Sequence, residues 1–186
     1  MPFGSLWLPV VVSAVAVFLV SAITHMVLKY HKADYKKLSD EEGVAQALRK
    51  GAPGPGLYII PYAMEGQMKD PAVRKKYEEG PVGMLAMMRP APPNMGKYLG
   101  QWFLFCFLVS FATGYVARHA GLGFGADGMQ VLRLTATVSF MAYAFGRIQE
   151  SIWMAIPWPN SLRGLLDGLL YALTTGIVFK LLWPAA

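Results

Sequence analysis

From Trp7 to Leu28 the chain runs for 22 residues without a Lys, Arg, Asp or Glu. A helix rises about 1.5 Å per residue, so such a run covers roughly 33 Å, the thickness of a bilayer's hydrocarbon core. Three more apolar stretches follow at about 98–117, 129–148 and 161–183. Hydrophobic residues make up 55% of the 186, which is too apolar for a soluble domain of this size. The pattern predicts an all-α integral membrane protein with four transmembrane helices.

The polar remainder is concentrated. Positions 29–97 hold 12 of the 17 Lys and Arg, 8 of the 11 Asp and Glu, and 8 of the 13 prolines. The expected organisation is therefore a first transmembrane helix over 1–28, a water-facing insertion over 29–97, and a three-helix transmembrane unit over 98–186. The first span does not read as a cleavable signal. Met1 to Leu8 carries no basic residue, and the apolar core exceeds the 7–15 residues of a signal h-region.

Orientation follows from the basic residues. Lys29, Lys32, Lys36 and Lys37 come directly after the first span, and Lys and Arg are retained on the cytoplasmic side. The insertion is expected inside and the N-terminus outside, in a multi-pass inner-membrane protein. Trp7, Trp102, Trp153, Trp158 and Trp183 fall at predicted span ends, where an amphipathic ring sits well.

The insertion has its own order signals. Ser39 and Glu42 have capping-box spacing, predicting a helix over 40–50 that stops at Gly51. Asp70-Pro71 reads as an N-cap with proline at the first helical position, and Gly80 as the stop. Residues 56–62 and 83–88 are short apolar runs bounded by Gly and Pro, readable as strands of a small sheet or as interfacial segments. Hence the expectation of an α+β or interfacial insertion, followed by a stiff tether at Pro90, Pro92 and Pro93.

Several suggestive residues read more simply. The Lys29–Lys37 cluster works as a topology determinant before it works as a lipid-headgroup site. Six methionines between Met64 and Met95 have no Cys or His among them, so they read as packing and not as a soft-metal site. Gly121-Leu-Gly-Phe-Gly125 lacks the strand-then-helix context of a nucleotide loop. Cys106, the single cysteine, reads as a small buried hydrophobe. His25 and His31 are expected near the inner face and His119 at the outer end of the second span, with no second histidine at the depth of His25 to complete an axial pair, so no metal, cofactor or catalytic residue is assigned.

The last span carries the most information. Gly164, Gly168, Ala172 and Gly176 recur every four residues and strip one helix face of side chains, which suits close helix packing in lipid. Beside that ridge run Arg163, Asp167, Tyr171 and Thr175. Asp167 lies about a turn inside the span, where a bare carboxylate is costly, so it is expected to pair with Arg163 or Arg147. With His25, Tyr143 and Glu150 these side chains form a polar seam. The seam has two readings: interhelical hydrogen bonds that fix register, or a proton or solute path.

Ile156-Pro-Trp158, leading into Asp167-Gly-Leu-Leu-Tyr171 and closing on Leu182-Trp183, resembles the C-terminal half of small four-helix bacterial membrane proteins of unknown function. The first span followed by His25 to Tyr35 is similar in layout, while 38–97 lies outside the resemblance. The resemblance implies a bacterial inner membrane and a four-helix arrangement, and no activity. The expected function is non-enzymatic: a structural or accessory subunit that packs with itself or with a larger membrane complex, with no nucleic-acid partner. The alternative is a small proton-linked transporter or lipid-handling protein built on Asp167.

Overall fold

The computed structural model describes residues 1–185, which fall into two compact units: Met1–Tyr35 with the chain from Asn94 on, and Lys36–Pro93. In chain order the elements are α1 (Trp7–Ala22), α2 (Glu41–Gly51), β1 (Gly56–Ile60), α3 (Pro71–Glu79), β2 (Gly83–Met87), α4 (Met95–His119), α5 (Gly128–Trp153) and α6 (Trp158–Leu182). Short 3-10 turns cover Phe3–Leu6, Tyr30–Asp34 and Gln67–Lys69, and Ile23–Val27 forms a wider π-type turn.

In the first unit α1 packs on α4 and α6, and α5 packs on α4 and α6. Among the described residues three helices are long and apolar enough to cross a membrane: Phe3–Val27, Met95–His119 and Trp158–Leu182, each 25 residues. α5 is as long, but Arg133, Arg147, Glu150 and a run of Thr and Ser make it more polar. Its start is fixed by Asp127, whose carboxylate accepts from the amides of Met129 and Gln130. α4 is capped in the same way by Asn94, which accepts from Lys97 N at 3.0 Å.

α5 and α6 make the closest helix contact. A Cβ built on Gly168 would lie 2.8 Å from Ala144 Cβ, one on Gly176 2.9 Å from Ala136 Cβ, and one on Gly164 3.1 Å from the Arg147 side chain. The partner numbers fall as the glycine numbers rise, so the helices are antiparallel. The Gly164/Gly168/Ala172/Gly176 ridge therefore touches a helix of its own chain. It is filled by α5 and lends no support to packing against a second copy or another subunit. The connection between these helices is shorter than the sequence suggests, only Met154–Pro157.

Apolar packing fills the rest of the bundle. Leu6, Val10, Val131 and Phe179 form one fully buried cluster, and Ala14, Val17, Cys106 and Tyr171 another. Small hydroxyls are paired between helices, Ser13 to Ser110 at 2.9 Å and Thr113 to Ser139 at 3.2 Å. Buried hydroxyls of this kind fix register, since each left alone would carry a desolvation penalty. Trp102 is an exception among the tryptophans expected at span ends. It lies on the second turn of α4 and donates to Ser21 Oγ at 2.7 Å inside the bundle.

The second unit has no buried residue. Its two apolar runs are strands: β1 and β2 pair antiparallel from Gly56↔Met87 to Ile60↔Gly83. The helix caps fall one residue from expectation in α2, where Asp40 and not Ser39 accepts from Gly43 N at 2.9 Å. Glu42 is consequently free of capping and reaches Arg49. α3 follows the sequence signals, with Asp70 accepting from Ala72 N at 2.8 Å and Gly80 ending the helix at φ 70°.

Candidate functional site: a histidine and carboxylate cluster at one end of the bundle

The cluster begins with a change in helical winding. α1 ends at Ala22, and Ile23–Val27 widens so that Leu28 N bonds to Ile23 O at 3.1 Å. Such insertions reorient the side chains they carry and often mark functional positions. Here the turn places His25 toward α6. The 3-10 turn Tyr30–Asp34 then folds back on the bundle and brings Tyr30, His31 and Asp34 to the same place. Residues 29–35 therefore belong with the bundle, not with the polar insertion.

Asp167 is the centre of the arrangement and is 5% exposed. Its Oδ1 accepts from the Tyr30 hydroxyl. Its Oδ2 lies 2.8 Å from His31 Nε2 and 3.9 Å from His25 Nε2. The two imidazoles stack face to face, centroids 4.3 Å apart and planes within 6°. His31 Nδ1 is 2.6 Å from Asp34 Oδ2, and Asp34 Oδ1 accepts from Arg163 Nε, also at 2.6 Å. Arg163 is held in turn by Asn160, which accepts from Nη2 at 2.9 Å and donates to the Asp34 carbonyl at 3.1 Å.

The electrostatics of Asp34 follow from those contacts. Partial burial pushes its carboxyl upward, but hydrogen bonds from His31 and Arg163 outweigh this and hold it below the ordinary carboxylate range. Tyr30 is raised well above an ordinary phenol, first by burial and then by the neighbouring Asp167 carboxylate. It stays a neutral donor.

The expected arginine partners of Asp167 are both engaged elsewhere. Arg163 turns to Asp34, and Arg147 donates to Glu150 Oε2 at 3.1 Å on its own helix. Histidines replace them because the turns after α1 deliver two imidazoles to Asp167, and Asp34 on the second of those turns takes up Arg163. The reading that no second histidine lies at the depth of His25 is likewise overturned: the π-type turn and the fold-back bring the His25 and His31 rings into contact. His119, on the last turn of α4, lies outside the cluster and instead contacts Tyr115 O at 2.8 Å through Nδ1.

The other seam residues arrange around this centre. Tyr171 meets Thr24 Oγ1 at 3.1 Å and stands edge-to-face with Tyr143, centroids 5.5 Å apart. The Tyr143 hydroxyl is buried without a hydrogen-bond partner among the described residues. It lines a cavity of about 510 Å³ enclosed by α1, α4, α5 and α6. Phe18, Leu99, Trp102 and Phe105 form the cavity's apolar body, and His25, Arg147, Glu150 and Asp167 form its polar end. Met26, Met95 and Leu99 at its rim are exposed, so it opens sideways. A second, more polar cavity of about 440 Å³ lies beyond the cluster and shares His25, Arg147, Glu150, Gly164 and Asp167 with the first.

Tyr30, His31 and Asp34 escaped sequence reading because they sit among Lys29, Lys32, Lys36 and Lys37 and pass for a basic flank. A signal was present: His31 and Asp34 are three apart, the spacing that superposes side chains on a 3-10 turn. The fold and the cluster together define a helical bundle with apolar, membrane-length helices and a histidine–carboxylate site at one end. No family model, curated protein or solved structure matches the chain.

Proposed function

We propose that this chain is a four-span, non-enzymatic protein of a bacterial inner membrane that holds an amphiphile inside its bundle. α5 serves as the fourth span, since it is 26 residues long and antiparallel to α6 along the glycine ridge. Thr135 and Ser139 in its middle are buried, while its exposed charges, Arg133 and Arg147, lie toward its two ends. The basic residues after α1 support an N-terminus outside and the His25 end of the bundle inside. The resemblance at both ends of the chain supports the bacterial setting.

The carrying observation is the 510 Å³ cavity, whose apolar aromatic body ends on a charged and hydrogen-bonding group. Its volume lies in the range of small-molecule sites, and its lining has the mix such sites use: mostly apolar surface with a few convergent polar groups. The buried Tyr143 hydroxyl supports the same reading, because an unpaired buried donor calls for a partner. A lipid-like molecule entering through the exposed rim would lay its tail against Trp102 and Phe105 and its headgroup against His25 and Asp167.

Gly146 provides the test. It lines the cavity, and a Cβ built there meets nothing within 4 Å, so Gly146→Trp fills the space without straining the backbone. Mass spectrometry of the purified protein should find a co-purifying amphiphile in the parent and little in Gly146→Trp, at equal thermal stability. Equal lipid content in both would refute the reading.

A proton-linked transporter is the second reading, favoured by the position of His25 and Asp167 between two cavities. Flux across reconstituted vesicles that disappears in Asp167→Asn would select it.

A further inference from the structure

His25, His31 and Asp167 each offer one ligand atom, and the three atoms lie within 4.8 Å of one another. What makes them more than neighbours is where their protons must be. His25 Nδ1 is 3.1 Å from the Ser21 carbonyl, which can only accept, and 3.0 Å from Thr24 Oγ1, whose own proton goes to that same carbonyl, so this nitrogen carries the ring's proton. His31 Nδ1 faces a carboxylate oxygen of Asp34 at 2.6 Å and is protonated for the same reason. Each neutral imidazole then presents a bare lone pair at Nε2, and both lone pairs lie beside Asp167 Oδ2.

His31 Nε2 sits 2.8 Å from that oxygen, is buried, and takes part in no hydrogen bond. A lone pair at that distance from a carboxylate is repulsive unless a cation lies between them. A second proton on Nε2 would make this contact an ion pair without the alignment of a hydrogen bond, whereas a metal ion would engage the lone pairs of both rings. Asp34 and Asp167 carry two negative charges against one positive charge on Arg163, so the cluster is left with a net charge of −1 to receive a cation.

We propose that His25 Nε2, His31 Nε2 and Asp167 Oδ2 bind a divalent first-row transition metal of the zinc or iron(II) type. Two imidazoles and one carboxylate are borderline donors that suit these ions, whereas calcium and magnesium take oxygen ligands. The set leaves at least one coordination position open. This inference stands on the donor set alone and does not depend on what occupies the neighbouring cavity.

The surroundings are those of a metal-binding histidine. Ligating imidazoles usually donate their other N–H to a carboxylate or carbonyl, which fixes the tautomer and ring orientation. Asp34 does this for His31 and Ser21 O for His25. Arg163 holds Asp34 through its other oxygen, and Tyr30 holds Asp167 through Oδ1. Metal–ligand bonds of about 2.0–2.2 Å put donor atoms roughly 3.3 Å apart, closer than the present limit. The change falls on His25, whose side chain is 51% exposed and has room both to close and to turn out of its parallel stack with His31, so that the two lone pairs converge.

The test uses the full chain in detergent, purified without a polyhistidine tag and stripped with chelator. Titration with Zn²⁺ should show one equivalent bound per chain. Co²⁺ should give visible absorption bands, intense for four-coordinate geometry and weak for six-coordinate. His25→Ala and His31→Ala should each lose the bound equivalent, and His119→Ala should keep it. Asp34→Asn, a positioning change, should weaken Zn²⁺ binding about 10–100-fold without abolishing it. His25 is half exposed, so His25→Ala reports on binding even if His31→Ala misfolds. Less than one equivalent in the parent, or a full equivalent retained by the His25→Ala/His31→Ala double variant, overturns the proposal.

Discussion

Arg163 donates through Nε to Asp34 Oδ1 at 2.6 Å and leaves Asp167, one turn further along the same helix, to the histidines. The pair pins the turn after α1 to the start of α6. Both side chains are mostly buried, 23% and 15% exposed, and hydrogen bonds to charged groups in such settings contribute about 1.5–3 kcal/mol. It is a tether between two parts of the chain 129 residues apart.

A double-mutant cycle should see this tether. Arg163→Ala and Asp34→Ala are each expected to destabilise the bundle, and the coupling between them to be about 1–3 kcal/mol, as for residues in one network. The same cycle between Arg163 and Asp167 should give a smaller coupling, because those residues share no direct bond and are linked only through Asp34 and His31. A larger coupling to Asp167 than to Asp34 would show that the expected Arg163–Asp167 pair does form.

Close packing of α5 on α6 makes a second prediction. At Gly168 the nearest atoms to an added Cβ are the Cβ, Cα and N of Ala144, so relief requires the helices to move apart. Gly168→Leu should lower stability by about 1–3 kcal/mol or more, in line with overpacking of a tight core. Gly100→Leu, on α4 with open space around it, serves as the matched control and should leave the melting temperature nearly unchanged. Equal melting temperatures for the two variants would mean that the ridge is not a contact.

How much of this was readable beforehand depended on periodicity. The long apolar runs gave the helices of the bundle, because a span has to be continuous and nearly free of charge. The four-residue spacing of Gly164, Gly168, Ala172 and Gly176 gave a packed face, though not that α5 would fill it. Asp167 stood out because a carboxylate at that depth demands a partner. Its partners did not stand out: a π-type turn and a 3-10 turn, neither with a strong sequence period, deliver His25 and His31. Charge counting then misassigned 29–35 to the insertion, since lysines surround the two residues that turn inward. Local winding, not composition, decides that segment.

Orientation is open to a labelling experiment. In a Cys106→Ala background, Ser39→Cys and Gly123→Cys should respond differently to a membrane-impermeant thiol reagent added to intact cells. With 12 of 17 basic residues between α1 and the second apolar run, position 39 should stay unlabelled and position 123 should react. The reverse pattern would place His25, His31 and Asp167 at the outer face.

The unit from Lys36 to Pro93 calls for a measurement of local stability. None of its residues is buried, and its sheet is a single antiparallel pair, β1 with β2. Two strands without a covered face are marginal in water. Side-chain support is slight: the Tyr77 hydroxyl donates to Pro61 O at 2.9 Å, and Tyr58 to Gly54 O at 2.9 Å. Amide hydrogens of 56–60 and 83–87 should therefore exchange orders of magnitude faster than those of α5 and α6, whose opening requires disruption of the packed bundle. Hydrogen exchange followed by peptide mass spectrometry, on the protein in lipid nanodiscs, reads both regions at once. Slow exchange in the strands, comparable to α6, would mean that lipid or a partner covers Leu57, Ile59 and Ile60, which are otherwise exposed.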